Sequence, residues 1–119
     1  MATVLVIDDD EQVRQLCQAA LEGAGYRVLI AESGPDALCL LQRHKADLAL
    51  VDVFMPNMDG LEVIPLLQKT QPGCKMIAMS GGSWEWDYLD TAQQLGAQDR
   101  LKKPFTLQEL LDAVSLQLR

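Results

Sequence analysis

The sequence predicts an α/β domain, a parallel sheet covered by helices on both faces. Short aliphatic runs alternate with stretches in which apolar residues recur at the three-and-four spacing of one helical face. The alternation repeats five times within 119 residues, and consecutive strand-like runs are separated by segments long enough for a helical crossover. No linker, low-complexity tract or change of composition divides the chain, so it reads as one domain over residues 1–119.

The elements follow in order. Val4-Leu5-Val6-Ile7 is the first strand and runs into Asp8-Asp9-Asp10. Val13, Leu16, Cys17, Ala20 and Leu21 mark one face of the first helix, which Gly23 and Gly25 stop. Arg27 to Ala31 is the second strand. Ser33-Gly34-Pro35 opens a helix carrying Ala37, Leu40 and Leu41, with the proline in the first turn, where a missing donor costs little. Leu48-Ala49-Leu50-Val51 ends on Asp52, and Asn57-Met58-Asp59-Gly60 has turn chemistry. A helix from about Leu61 to Lys69 contains Pro65, which costs up to ~3 kcal/mol in a helix interior and predicts a kink or a late start. Lys75 to Met79 is the fourth strand and leads to Ser80. A helix from about Trp84 to Leu95 closes at Gly96. Asp99 to Lys102 is a weak fifth strand, and Leu107, Leu110, Leu111, Val114 and Leu118 define a final amphipathic helix.

Composition narrows the function classes. A net charge of −7 disfavours nonspecific binding to nucleic acid, which needs basic residues against phosphates. Cys17, Cys39 and Cys74 lie in apolar stretches without metal-ligand spacing and read as small buried hydrophobes in a reducing compartment. The N-terminus enters a strand without a basic and apolar leader, and no apolar run approaches the roughly 20 residues of a membrane span, so a cytoplasmic location is expected.

Chemistry collects at the strand ends. Asp8, Asp9 and Asp10, then Asp52 and Ser80, follow apolar runs, Lys103 follows the short segment Arg100-Leu101-Lys102, and the carboxyl edge of a parallel sheet is where ligands bind. Two carboxylates ~4 Å apart repel by about 4 kcal/mol at an effective dielectric of 20. Gathering Asp8, Asp9 and Asp52 therefore calls for a hard divalent cation, and magnesium, held by one or two carboxylates plus phosphate, suits the set. Asp10 reads as a helix cap. Asp36, Asp47 and Asp112 read as solvated, and so does Lys102. His44, the one histidine, lies far from every strand end.

The ordered set Asp8-Asp9, Asp52, Met55-Pro56-Asn57-Met58-Asp59-Gly60, Ser80-Gly81 and Lys103-Pro104-Phe105 resembles the receiver domain of two-component response regulators, of the kind found in chemotaxis regulators. The likeness covers essentially the whole chain. It implies a flavodoxin-like (βα)5 doubly wound sheet of strand order 2-1-3-4-5. It also implies a signalling phosphoacceptor, with self-phosphorylation and autodephosphorylation chemistry of its own, in place of a conventional enzyme. Asp52 would accept the phosphoryl group; Asp9 and Asp52 would hold magnesium directly, Asp8 through water, and Phe54 through its backbone carbonyl. Lys103, aimed by a cis peptide to Pro104, and Ser80 would contact phosphoryl oxygens. The donor would be a sensor histidine kinase or a histidine phosphotransfer protein. Output would pass to a protein partner through the face made by the fourth helix, fifth strand and fifth helix.

One position departs from the pattern. Arg100 stands three before Lys103, where many receivers carry an aromatic switch residue, so it is expected to form a surface salt bridge or to approach the helix bearing Glu85, Asp87 and Asp90. Two rivals remain: a degenerate receiver serving as a scaffold, and a magnesium-dependent aspartyl phosphatase. The phosphatase would need an acid two residues after the nucleophile, where this chain has Phe54.

Overall fold

The structure is a computed structural model that describes residues 1–53, 60–81 and 86–119, the side chains of 60 and 86–89 excepted. Its elements are β1 (Thr3–Ile7), α1 (Glu11–Gly23), β2 (Arg27–Ala31), α2 (Gly34–Leu40), β3 (Leu48–Asp52), α3 (Gly60–Thr70), β4 (Lys75–Ser80), α4 (Trp86–Leu95), β5 (Asp99–Lys102) and α5 (Leu107–Gln117). The five strands form one parallel sheet in the order β2-β1-β3-β4-β5. This is the flavodoxin-like arrangement that the resemblance implies.

Strand geometry sends successive side chains to opposite faces, and the two cores divide accordingly. Val4, Val6, Leu48, Leu50, Ile77 and Met79 meet Cys17 and Leu21 of α1 and Leu110 and Val114 of α5. Leu5, Ile7, Ala49, Val51, Met76 and Ala78 meet Ala37 of α2, Val63, Ile64 and Leu67 of α3, and Ala92 of α4. β3 is buried along its whole length. Each of α1 and α5 covers the sheet with a narrow stripe four residues apart. Leu16 and Leu107 fall beside those stripes and are 45% and 49% exposed.

Local signals set the helix ends. Asp10 caps α1 by accepting from the Gln12 N–H. At the other end Gly25 takes φ +96°, and the Tyr26 and Gly25 N–H groups bond the carbonyls of Leu21 and Glu22, the reciprocal pattern of a glycine-terminated helix. Gly96, at φ +137°, ends α4 in the same way, and a side chain there would run into Gln68 of α3. Thr106 and Glu109 form a capping box on α5.

Three expectations are corrected. α3 begins at Gly60 and runs through Pro65, with no late start; the proline is exposed, and on the outer side of a helix the carbonyl that its ring orphans can turn to water. Cys39 is exposed, because it lies two residues past the buried Ala37 and so points away from the sheet, whereas Cys17 and Cys74 are buried. Asp47 is half-buried and tied down: its Oδ2 accepts from the Thr3 N–H at 2.8 Å.

That contact is one of three that stitch the amino edge of the sheet. Gln71 Oε1 accepts from the Ala46 N–H at 2.9 Å while its Nε2 donates to the His44 carbonyl at 2.8 Å. Gln98 Oε1 accepts from the Met76 N–H at 2.7 Å. Backbone amides that enter a sheet before its ladder begins must find a partner when they are partly buried, and here side chains supply it. Among the described residues no helix is long and apolar enough to cross a membrane.

Candidate functional site

Strand register assembles the site. Ile7 pairs with Val51, so Asp8 comes level with Asp52 one residue further on. Asp52 pairs with Met79 across β3 and β4, and Ser80 pairs with Lys102 across β4 and β5, which brings Lys103 to the same edge. Four segments far apart in sequence thus deliver Asp8, Asp52, Ser80 and Lys103 to one place.

Asp8 and Ser80 are fully buried, and Asp52 is 5% exposed. Asp9 is exposed. Carboxylate oxygens of Asp8, Asp9 and Asp52 lie within 4.8 Å of one another, a group able to hold a metal ion. Lys103 Nζ donates to Asp8 Oδ2 at 2.6 Å and to Asp52 Oδ2 at 3.4 Å. Burial works against the Lys103 ammonium, but the hydrogen bond to Asp8 and the charges of Asp52 and Asp8 outweigh it, and the pKa is raised above 10.5. Three carboxylates against the one ammonium that pairs with them leave the cluster net negative. A divalent cation would offset that excess, and oxygen-only donors suit a hard one.

The lysine is aimed by its backbone. The Lys103–Pro104 peptide is cis, as expected, and the Lys103 N–H donates to the Ser80 carbonyl at 2.6 Å. Beneath the site, Cys17 is pushed up to about 11 by burial and by the charge of Asp8, with Lys103 pulling the other way.

Other sequence-predicted positions fall as follows. Asp10 is the α1 cap, Asp36 and Asp112 are exposed, Lys102 is exposed, and His44 is exposed beyond α2. Arg100 Nη1 pairs with Asp90 of α4 at 2.5 Å on the surface. Phe54, the 55–59 turn and Trp84 lie outside the described residues. Arg14 was not singled out by the sequence, yet its Nη1 donates to the Asp8 carbonyl at 2.8 Å. No motif marks such a contact. An open groove of about 670 Å³ runs beside β2, lined by Arg14, Ile30, Glu32, Cys39 and Arg43 among others, and takes in none of the three clustered carboxylates.

Comparison with known proteins agrees with this geometry. The sequence pattern of the response regulator receiver domain matches residues 4–115. The chain is 35% identical over 116 residues to the response regulator MprA of Mycobacterium sp. (strain KMS), covering 98% of this chain and 50% of that protein. It is 34% identical over 116 residues to the alkaline phosphatase synthesis transcriptional regulatory protein PhoP of Bacillus subtilis (strain 168), covering 98% and 48%. The chain therefore spans about half the length of the curated relatives it matches. A CheY-like receiver domain protein from Methanospirillum hungatei JF-1 superposes with a TM-score of 0.92 at 28% identity, covering 99% of this chain and 94% of that one. A response regulator from Thermotoga maritima gives 0.87 at 30%, covering 99% and 98%.

Proposed function

The chain belongs to the response regulator receiver domain family, and from that premise we propose that Asp52 accepts a phosphoryl group from a phosphohistidine on a sensor kinase or phosphotransfer protein. The observation that carries the proposal is the buried Asp52 carboxylate, which shares Lys103 with Asp8 in a net negative cluster. Asp9 and Asp52 would hold magnesium directly, Asp8 would act through water, and the Phe54 carbonyl would complete the protein's donors. When bound, the cation offsets charge on the cluster and on phosphoryl oxygens.

Asp52 contributes the nucleophilic oxygen. An oxygen–phosphorus bond forms to its carboxylate as the phosphorus–nitrogen bond of the donor histidine breaks, and the imidazole leaves. Lys103, already 3.4 Å from Asp52, is placed to shift from carboxylate to phosphoryl oxygen. The ammonium is a compact charge on a flexible stem, suited to changing partners. Ser80, at the end of β4, would donate its hydroxyl to another phosphoryl oxygen. Attack of water on phosphorus would later release inorganic phosphate and restore the carboxylate. Residues 1–119 act here as one receiver unit, and the α4, β5 and α5 face would carry the altered state to a protein target.

The test is intact mass after incubation with acetyl phosphate and magnesium. One phosphoryl group should be added, and none in Asp52→Asn. An adduct that persists in Asp52→Asn would remove Asp52 from the role, and no adduct on the wild-type chain would favour the scaffold.

A further inference from the structure

Asp8 is held at every polar group. Its N–H donates to the Ala31 carbonyl at 3.1 Å, its Oδ1 accepts from the Asp10 N–H at 2.9 Å, and its Oδ2 accepts from Lys103 at 2.6 Å. The remaining group is its carbonyl, and Arg14 Nη1 takes that at 2.8 Å. The carbonyl belongs to the peptide that joins Asp8 to Asp9. Whatever fixes that peptide also fixes where the exposed Asp9 carboxylate starts from.

Arg14 is an odd residue for its position. It lies in the first turn of α1, its N–H bonding the Asp10 carbonyl, where the helix dipole disfavours a cation. Side chains on a helix lean toward its N-terminus, and that lean carries the guanidinium of the half-buried Arg14 back over the strand end. Asp9, Asp10 and Glu11 are all close in sequence, yet among the described residues Arg14 pairs with none of them and bonds a backbone carbonyl instead. Neither the helix dipole nor a direct ion pair accounts for this placement, whereas the hydrogen bond to the Asp8 carbonyl, on the Asp8–Asp9 peptide, does.

We propose that Arg14 is a positioning residue for the cation site, holding the Asp8–Asp9 peptide so that Asp9 and Asp52 face one ion. This rests on the magnesium reading above. The proposal has a sign that separates it from simple electrostatics. A cation beside an acidic cluster repels another cation, so removing Arg14 would tighten magnesium binding if charge were all it contributed. Loss of a group that orients a ligand weakens binding, commonly by about 10- to 100-fold.

The experiment is a magnesium titration of the apo protein followed by amide NMR shifts, for wild type, Arg14→Met, Arg14→Lys and Asp9→Ala, with thermal unfolding in the absence of magnesium as a folding control. Arg14→Met keeps the apolar stem and removes both donor and charge. Its affinity should fall on the order of tenfold, with the Asp9 amide displaced in the apo spectrum, and Arg14→Lys should recover part of the loss. Affinity equal to or tighter than wild type in Arg14→Met, while Asp9→Ala loses binding, would overturn the positioning role and leave the metal site standing. Failure of the wild-type chain to bind magnesium would bring down the underlying site reading and this inference with it.

Discussion

Neutralising Asp9 should stabilise the apo protein and sharply reduce its response to magnesium. Asp8 and Asp52 share Lys103, whereas Asp9 does not. Its oxygen lies within 4.8 Å of both neighbours. At that distance each like-charge pair costs about 0.9 kcal/mol at the dielectric of water and about 3.5 kcal/mol at an effective value of 20. Asp9 is exposed, which puts it near the lower figure, and the lysine cancels part of the repulsion. A net gain of about 1 kcal/mol is therefore expected for Asp9→Asn, or roughly 3–6 °C in melting temperature for a domain of this size. Magnesium at ten times its Kd should add about 1.4 kcal/mol to the wild type through native-state binding, and far less to the variant. Without the ion the variant should melt higher; with it the gap should close and reverse. The assay is thermal unfolding at low ionic strength, with and without magnesium chloride, against sodium chloride at matched ionic strength. A variant that is no more stable than wild type without the ion, or that gains as much from it, would refute the account of three repelling carboxylates.

Other tests address separate parts of the structure. Lys103→Met should cost roughly 2–3 kcal/mol by urea unfolding at neutral pH, since it strips a partner from the buried Asp8, with the 20% exposure of the lysine trimming the full penalty. Because the folded-state pKa of Lys103 is raised, its contribution is complete below 10.5 and declines as pH rises through the raised value, so the gap between the two proteins should narrow in that alkaline range. A thiol reagent at neutral pH should label Cys39 fast and the other two cysteines only on unfolding, because Cys17 and Cys74 are buried and pushed up to about 11; rapid reaction of three thiols would contradict the packing. Arg100→Ala should change stability by no more than about 1 kcal/mol, as its pair with Asp90 is on the surface; a larger loss by denaturant titration would give Arg100 a structural weight that this surface pair does not.

The strands and the acidic edge were legible because each depends on a run of neighbouring residues. Val4 to Ile7 and Leu48 to Val51 are buried without interruption, so their apolar runs are continuous, and the polar residue that ends each run marks the edge. Even β5, weakly marked in the sequence with Leu101 as its one strong apolar residue, spans Asp99–Lys102 as expected. What the sequence hid were bonds between a side chain and a distant backbone atom. Gln71 reaches Ala46, Gln98 reaches Met76 and Arg14 reaches the Asp8 carbonyl, and a backbone partner leaves no trace in residue identity. The bond from the Thr3 N–H to Asp47 is hidden for the same reason. Cys39 was misjudged because its neighbours Leu38 and Leu40 are apolar, while the helical face that settles the matter is defined by Gly34, Ala37 and Leu41.

The stitched amino edge gives the molecule a mechanical polarity. At that end Asp47, Gln71 and Gln98 clamp strand entrances with neutral amides and one carboxylate, bonds indifferent to whether charge arrives elsewhere. At the other end the contacts are ionic and exchangeable, with Lys103 already divided between two carboxylates. A disturbance at the carboxyl rim therefore meets a fixed anvil below and has to spread sideways among the segments that leave the strand ends. In the reading proposed above, a phosphoryl group on Asp52 would act at the exchangeable rim and leave the amide bonds of the base unchanged. Hydrogen exchange before and after a change of charge at the rim should leave the amides of Thr3, Ala46 and Met76 unaltered while those of the strand ends near Asp8 and Ser80 change.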